Sequence, residues 1–136
     1  MITRLAHACM LSSNLEATER FYCAALGMKR RFEFRRGDDV FGFYLDAGGT
    51  TFLEVFRGDP NGVEGRIRHW CFEVEDLDAT RQSLIDHGFS PTEKILPLDH
   101  TWQFWCKDPD GIDVEFQQYT PDSLQLRGGI VQKGKE

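Results

Sequence analysis

The chain has 136 residues and a net charge of −6, from 22 acidic and 16 basic side chains. This length suits one domain with a core of its own, and the negative charge disfavours DNA and anionic membranes as partners. No apolar run approaches the ~20 residues that cross a bilayer, and the opening MITRLAHACM lacks the apolar segment of a signal peptide. We therefore expect a cytoplasmic protein that binds neither nucleic acid nor membrane.

The first half of the chain predicts a β-α-β-β-β module over about residues 3–58. Alternating side chains indicate a first strand at 3–11, and Asn14 is a suitable N-cap for a helix at 15–26 that Gly27 ends. Turn signals then separate three shorter strands. These predicted strands lie at 28–35, 40–46 and 51–57.

A polar, Gly-rich linker at 58–65 leads to a second module over about residues 66–119, and a tail follows at 120–136. Asp76 is a suitable N-cap for the helix of this module, and Gly88 a suitable stop. The predicted elements are a strand at 66–74, the helix at 77–87, and strands at 90–96, 101–107 and 112–119.

The second module repeats the first. When residues 4–18 are moved forward by 62 positions, several of them meet an identical residue, and the match continues at an offset of 61 in the later strands. The identical pairs include Arg4/Arg66, His7/His69, Cys9/Cys71, Leu15/Leu77, Ala17/Ala79, Thr18/Thr80, Phe43/Phe104 and Glu54/Glu115. Two histidines and two glutamates therefore occupy equivalent strand positions.

This quartet indicates a metal site. One histidine or glutamate within a strand is usually structural, but a carboxylate among apolar neighbours is costly to desolvate unless it is paired or bound to a cation. Recurrence in both modules favours the metal. Two imidazoles and two carboxylates suit one divalent ion, with Ni, Co or Zn favoured and Mn or Fe as alternatives. In six-coordinate geometry two positions stay open for catalysis.

The cysteines and several polar or aromatic side chains are further candidates for the site. Four cysteines lie in apolar segments without C-x-x-C spacing, so we expect buried, reduced thiols at Cys9, Cys23, Cys71 and Cys106. Alternation predicts most of the candidate pocket aromatics as core. His100 lies in the predicted loop 97–100, where a surface residue is favoured over a substrate contact. The pocket candidates are Trp70, Trp102, Trp105, Phe41, Phe43, Gln103, Lys94 and His100.

Four features of the sequence resemble the vicinal oxygen chelate superfamily over about residues 3–119. They are the duplicated module, the R-L-A-H opening that leads through F-Y to L-G-M, the D-P-D-G turn and the V-E-F strand. Within it, the His/Glu/His/Glu set is most similar to that of glyoxalase I. The resemblance implies a single α+β domain over 1–136. Two paired βαβββ modules would form a curved mixed sheet around a metal-binding cleft, the glyoxalase/bleomycin resistance/dioxygenase fold. It also implies a homodimer, with the site within one chain or across subunits.

The resemblance assigns the metal ligands to His7, Glu54, His69 and Glu115. It makes Glu115 the base and lets Glu54 share the proton shuttle, in a lyase or isomerase that moves a proton through a metal-stabilised enediolate. The small-molecule substrate would be an α-hydroxycarbonyl or hemithioacetal. Glutathione-using members often carry Arg four residues after the first ligand and Asn four after the second. Leu11 and Gly58 stand there, so a bound glutathione would lack its charge-assisted partner.

Three other functions remain open on this scaffold. An extradiol-type ring-cleaving dioxygenase would need two histidines and one carboxylate, which His7, His69 and Glu115 could supply without Glu54. An acyl-CoA epimerase would exchange the proton at the substrate α-carbon. A metal-free module for small-molecule binding or resistance would pair the histidines and glutamates with each other.

Overall fold

A computed structural model describes residues 4–60, 67 and 69–131 of the chain. The chain divides into two compact units, Met1–Arg66 and Ile67–Glu136, each with its own β-sheet. Most of the predicted linker at 58–65 lies outside the described residues, as do the first residues of the predicted strands at 3–11 and 66–74. No helix among the described residues is long and apolar enough to cross a membrane.

Unit 1 combines one helical segment with a four-stranded mixed sheet, so its predicted β-α-β-β-β order is confirmed. The sheet order is β1-β4-β3-β2, and only the β1–β4 pairing is parallel. The predicted helix at 15–26 begins as α1 and continues as a π-helical segment. The elements are β1 His7–Ser12, α1 Leu15–Glu19, the π-helical segment Arg20–Ala25, β2 Arg30–Arg36, β3 Asp39–Asp46 and β4 Phe52–Arg57.

One face of this sheet is buried. Alternate residues of the strands and the inner side of the helical segment form the core, and a hydrogen bond of 2.7 Å joins the buried hydroxyls of Ser12 in β1 and Thr18 in α1. Because side chains alternate along a strand, the residues between the core positions point to the other face. The core side chains are Met10, Phe21, Tyr22, Ala25, Phe43, Leu45, Leu53 and Val55.

Unit 2 has a three-stranded sheet in the order β5-β7-β6, again with one parallel pairing, between β5 and β7. Leu77, Leu84, Phe104, Cys106, Val114 and Phe116 form its buried side. Both units therefore have the predicted α+β architecture. The elements are β5 His69–Glu73, α2 Leu77–Asp86, β6 Trp102–Lys107, β7 Asp113–Gln118 and α3 Leu124–Arg127.

The predicted strand at 90–96 is wrong. The segment forms no strand: it pairs with β6 through an isolated bridge between Ile95 and Gln103, and the Thr92 N–H donates to the Trp105 carbonyl at 2.8 Å. Pro91 has no N–H to donate, and the backbone N–H of Trp105 donates to the side-chain hydroxyl of Thr92 at 2.8 Å instead of to a backbone carbonyl. These two departures prevent a continuous ladder along the segment.

The predicted helix caps are confirmed. The side chains of Asn14 and Asp76 accept hydrogen bonds from the backbone N–H groups of Ala17 and Ala79, at 3.1 and 3.0 Å. Gly27 and Gly88 follow the helices with φ of 78° and 87°, in the left-handed region that ends a helix. Local sequence signals thus set where both helices begin and end, between the first and second strands of each unit.

We predict that Asp76→Ala lowers the free energy of unfolding by about 1 kcal/mol, because the N–H of Ala79 loses its acceptor. Urea denaturation measures the effect. The exposed neighbour Glu75 is the control, since Glu75→Ala should change stability by less than about 0.5 kcal/mol. Equal losses in the two variants would contradict the role of the cap.

Candidate functional site

The internal repeat is preserved in the register of the strands. On the face opposite the core, each sheet carries a row of three directly opposed side chains from three neighbouring strands. A histidine precedes the cysteine of each row by two residues and so shares its face. The rows are Cys9–Glu54–Tyr44 in unit 1 and Cys71–Glu115–Trp105 in unit 2.

In unit 1 the row brings His7 to Glu54. The Nε2 atom of His7 lies 4.0 Å from Oε1 of Glu54, and the two side chains are 43% and 18% exposed. The Tyr44 ring meets the His7 ring edge to face, with centroids 5.6 Å apart. A hydrogen bond with the Glu54 carboxylate raises the pKa of Tyr44, and burial adds to the shift. Tyr44 therefore contacts both members of the pair.

In unit 2 the corresponding pair is closer and more buried. The Nε2 atom of His69 lies 3.3 Å from Oε2 of Glu115, whose side chain is 10% exposed. The other carboxylate oxygen, Oε1, accepts a hydrogen bond of 2.7 Å from the Gln117 amide. Trp105 meets the His69 ring edge to face at 4.8 Å. Glu115 is thus held from both sides, by an imidazole and by an amide.

The cysteines of the two rows differ from the prediction. All four cysteines are free thiols, but Cys9 and Cys71 are exposed because they lie on the face opposite the core. Partial desolvation and the neighbouring glutamate raise the pKa of Cys9 to about 11 and that of Cys71 to about 12. Both therefore stay protonated near neutral pH, where a thiol is a poor nucleophile.

The spacing within each pair fits a shared metal ion. A nitrogen and an oxygen that each lie about 2.0 to 2.2 Å from one ion can be at most about 4.3 Å apart. Adjacent ligands at angles of about 90° to 110° are about 3.0 to 3.5 Å apart. The 3.3 Å of the His69–Glu115 pair matches this spacing, and the 4.0 Å of the His7–Glu54 pair lies between it and the upper limit. Neither unit, over its described residues, gathers three or more His, Cys, Asp or Glu side chains that could hold a metal. Each unit thus offers one pair of ligands.

The next row of side chains on the same face distinguishes the units. In unit 1 it is apolar and in unit 2 it is mostly polar, although the strand positions are equivalent. The rows are Leu11–Phe56–Gly42–Phe34 in unit 1 and Glu73–Gln117–Gln103–Ile95 in unit 2. The two faces therefore offer different surroundings to a ligand.

Leu11 and Gly58, the two positions without the glutathione-binding residues, are neighbours. A Cβ atom on Gly58 would lie 3.1 Å from the Leu11 Cδ2 atom. The Gly58 N–H donates to the Ser12 carbonyl at 2.9 Å, which holds the end of β4 beside β1. An apolar side chain thus fills the place where the resemblance implies a charged contact.

The remaining candidates take different positions. Phe43 is core as predicted, whereas Trp105 is not, because it lies on the face of His69. Gln103 shares that face, and Lys94 lies 4.7 Å over the Trp102 ring. Trp70 and Phe41 are half-buried, and His100 is exposed, as predicted, with a φ of 60°.

Sequence reasoning missed Tyr44 and Gln117. Tyr44 stands at the offset of 61 from Trp105, so the repeat could have identified it as a site residue. Gln117 follows Glu115 by two residues and therefore shares its strand face. The internal repeat thus contained the signal for Tyr44, and the alternation pattern contained the signal for Gln117.

Known proteins similar to this chain span most of its length. A lactoylglutathione lyase of Neisseria meningitidis serogroup A is 29% identical over 124 residues, which cover 85% of this chain and 90% of that protein. The uncharacterized protein YaeR of Escherichia coli is 25% identical over 125 residues, 86% of this chain and 97% of that protein. The crystal structure of SMU.1112c aligns with a TM-score of 0.73 and 25% identity, over 86% of this chain and 99% of the other.

The family model of the Glyoxalase/Bleomycin resistance protein/Dioxygenase superfamily matches residues 4–116. This range includes both histidine–glutamate pairs and nearly all of both sheets. The chain therefore belongs to the Glyoxalase/Bleomycin resistance protein/Dioxygenase superfamily, the vicinal oxygen chelate proteins.

Proposed function

We propose that the protein is a divalent-metal-dependent lyase or isomerase of the glyoxalase I type, acting in the cytoplasm on a small α-hydroxycarbonyl or hemithioacetal. The observation that carries the proposal is the His–Glu pair that each sheet presents at the same register. Membership of the superfamily supports it, as does the likeness to lactoylglutathione lyases.

The proposed ligands are His7, Glu54, His69 and Glu115. We also propose that the protein is a homodimer. Nitrogen and carboxylate oxygen suit Ni, Co or Zn, with Mn or Fe as alternatives. The bound ion supplies Lewis-acid stabilisation of the negative charge that develops on a substrate oxygen.

Glu115 is the proposed base. Its Oε1 atom is fixed by the Gln117 amide, and Oε2 faces His69, so the carboxylate has a defined orientation. A base must lie within hydrogen-bond reach of the proton that it moves, and a fixed carboxylate meets this need better than a mobile one. Glu54 is the second candidate for the proton shuttle, since it is paired with Tyr44 rather than with an amide.

We predict that dialysed wild-type protein retains about one divalent ion per chain, and that Glu54→Ala and His69→Ala each lose most of it, because every variant removes one of four ligands. Elemental analysis gives the metal content, and circular dichroism checks folding. His87→Ala and Glu93→Ala are matched controls outside the pairs, and they should retain metal.

Two outcomes would contradict the proposal. A wild-type protein that takes up no metal when it is offered would support the metal-free binding module instead. Intact iron binding with oxygen consumption in Glu54→Ala would support the dioxygenase, which needs only His7, His69 and Glu115.

A second prediction concerns the thiol compound that forms the hemithioacetal substrate. The prediction compares kcat/KM for the glutathione hemithioacetal with kcat/KM for the 2-mercaptoethanol hemithioacetal. The double substitution Leu11→Arg, Gly58→Asn should raise the ratio of the first to the second at least tenfold. A charge-assisted hydrogen bond contributes about 1.5 to 3 kcal/mol, and the two positions are neighbours. Leu11→Met, which adds no charge, is the control. A wild-type protein that already prefers glutathione strongly would show that Leu11 does not exclude it.

A further inference from the structure

Unit 1 carries a cluster of aromatic side chains on the same face as His7 and Glu54. We call this cluster the aromatic face. Its rings contact one another, with centroid distances of 4.3 Å for Phe32–Tyr44, 4.9 Å for Phe34–Phe56, 5.4 Å for Phe32–Phe34 and 5.8 Å for Tyr44–Phe52. The aromatic face consists of Phe32, Phe34, Tyr44, Phe52 and Phe56.

The aromatic face begins at the proposed ligands. Tyr44 contacts the His7 ring at 5.6 Å and lies opposite Glu54 across the β3–β4 pairing. From Tyr44 the rings continue to Phe32 and Phe34 on β2, at the edge of the sheet. Phe32 is 48% exposed. A ligand held at His7 and Glu54 could therefore extend along the rings.

The fold itself does not require these rings. The repeat places Glu93, Ile95, Trp105, Asp113 and Gln117 at the equivalent positions of unit 2, so only Tyr44 has an aromatic counterpart. Unit 2 nevertheless pairs β5, β7 and β6 as unit 1 pairs β1, β4 and β3, although its segment 90–96 forms no strand equivalent to β2. The three strands that position the histidine and the glutamate thus form without the other four rings, and the place of these rings beside His7 and Glu54 points to recognition of a ligand.

The charges around the aromatic face indicate an uncharged ligand. Arg35 is paired with Glu33, and Arg30 with Glu19 and Glu33. Arg57 binds Asp39 at 2.7 Å, and Arg36 lies 4.4 Å over the Phe41 ring. These four arginines are engaged by carboxylates or by a ring, so they offer no free cation to an anionic group. A neutral ring can stack on the aromatic side chains instead.

We propose that the aromatic face binds a flat, uncharged aryl group attached beside the two vicinal oxygens of the substrate. This inference rests on the proposed function and narrows its substrate class to aryl-bearing α-hydroxycarbonyls or hemithioacetals of arylglyoxals. Phe32 and Phe34 determine specificity, and His7 and Glu54 engage the oxygen end. Aromatic pairs contribute binding free energy beyond that of their buried area, and a ring stacked on the face also buries apolar surface. Together these effects correspond to at least about tenfold in affinity.

Two hydroxamic acids test the inference, because both chelate through vicinal oxygens and only one has a ring. Calorimetric titration of the Ni²⁺-loaded protein should give a Kd for benzohydroxamic acid at least about tenfold below that for acetohydroxamic acid. In the double variant Phe32→Ala, Phe34→Ala this ratio should fall below about threefold, with the acetohydroxamic acid Kd unchanged. Trp102→Ala, which removes an aromatic ring from unit 2, should keep the wild-type ratio.

Benzamide has the ring but not the chelating group. It therefore tests ring binding separately from metal-dependent binding of the vicinal oxygens. It should bind metal-free wild-type protein, with saturation-transfer NMR contacts that disappear in the double variant. Equal Kd values for the two hydroxamic acids would overturn the aryl inference and leave the metal-dependent function standing. Binding of benzamide to the aromatic face, without any binding of acetohydroxamic acid, would support the aryl inference and overturn the metal-dependent function.

Discussion

Everything at the site depends on the parallel pairing of the first and last strands of each unit. In unit 1 this pairing sets Cys9 opposite Glu54 and brings His7 within 4.0 Å of the carboxylate. A register slip of one residue would turn Glu54 into the core and Val55 out of it. The apolar residues on the buried side therefore specify the register, and the register in turn pairs the histidine with the glutamate.

The two faces of each sheet serve different purposes. One face is closed by apolar side chains such as Leu53, Val114 and Phe116, which are at most 3% exposed. The other face holds the histidines, each 43% exposed, and the carboxylates beside them. Because the core and the site lie on opposite faces, side chains of the site can change while the packed face continues to stabilise the fold.

The two units show such changes. Both retain the histidine, the cysteine, the glutamate and an aromatic partner, yet Glu54 is paired with the Tyr44 hydroxyl and Glu115 with the Gln117 amide. The surroundings differ further, since Phe34 and Phe56 in unit 1 correspond to Ile95 and Gln117 in unit 2. A duplicated scaffold thus carries one aromatic and one mainly polar face.

The sequence by itself determined the features that depend on neighbouring residues or on the repeat. Asn14 and Asp76 identified the helix starts because a cap acts over three residues, and the equivalence of His7 with His69 and of Glu54 with Glu115 predicted the two pairs.

Only the tertiary structure decided the features that depend on distant partners. The segment at 90–96 has strand-like alternation, but whether it joins β6 depends on the Thr92 hydroxyl and on Pro91. Exposure of Cys9 and Cys71, and the places of Tyr44 and Trp105 beside the histidines, depend on which face each sheet buries. Alternation separates the two faces of a strand, whereas long-range packing chooses the one that is covered.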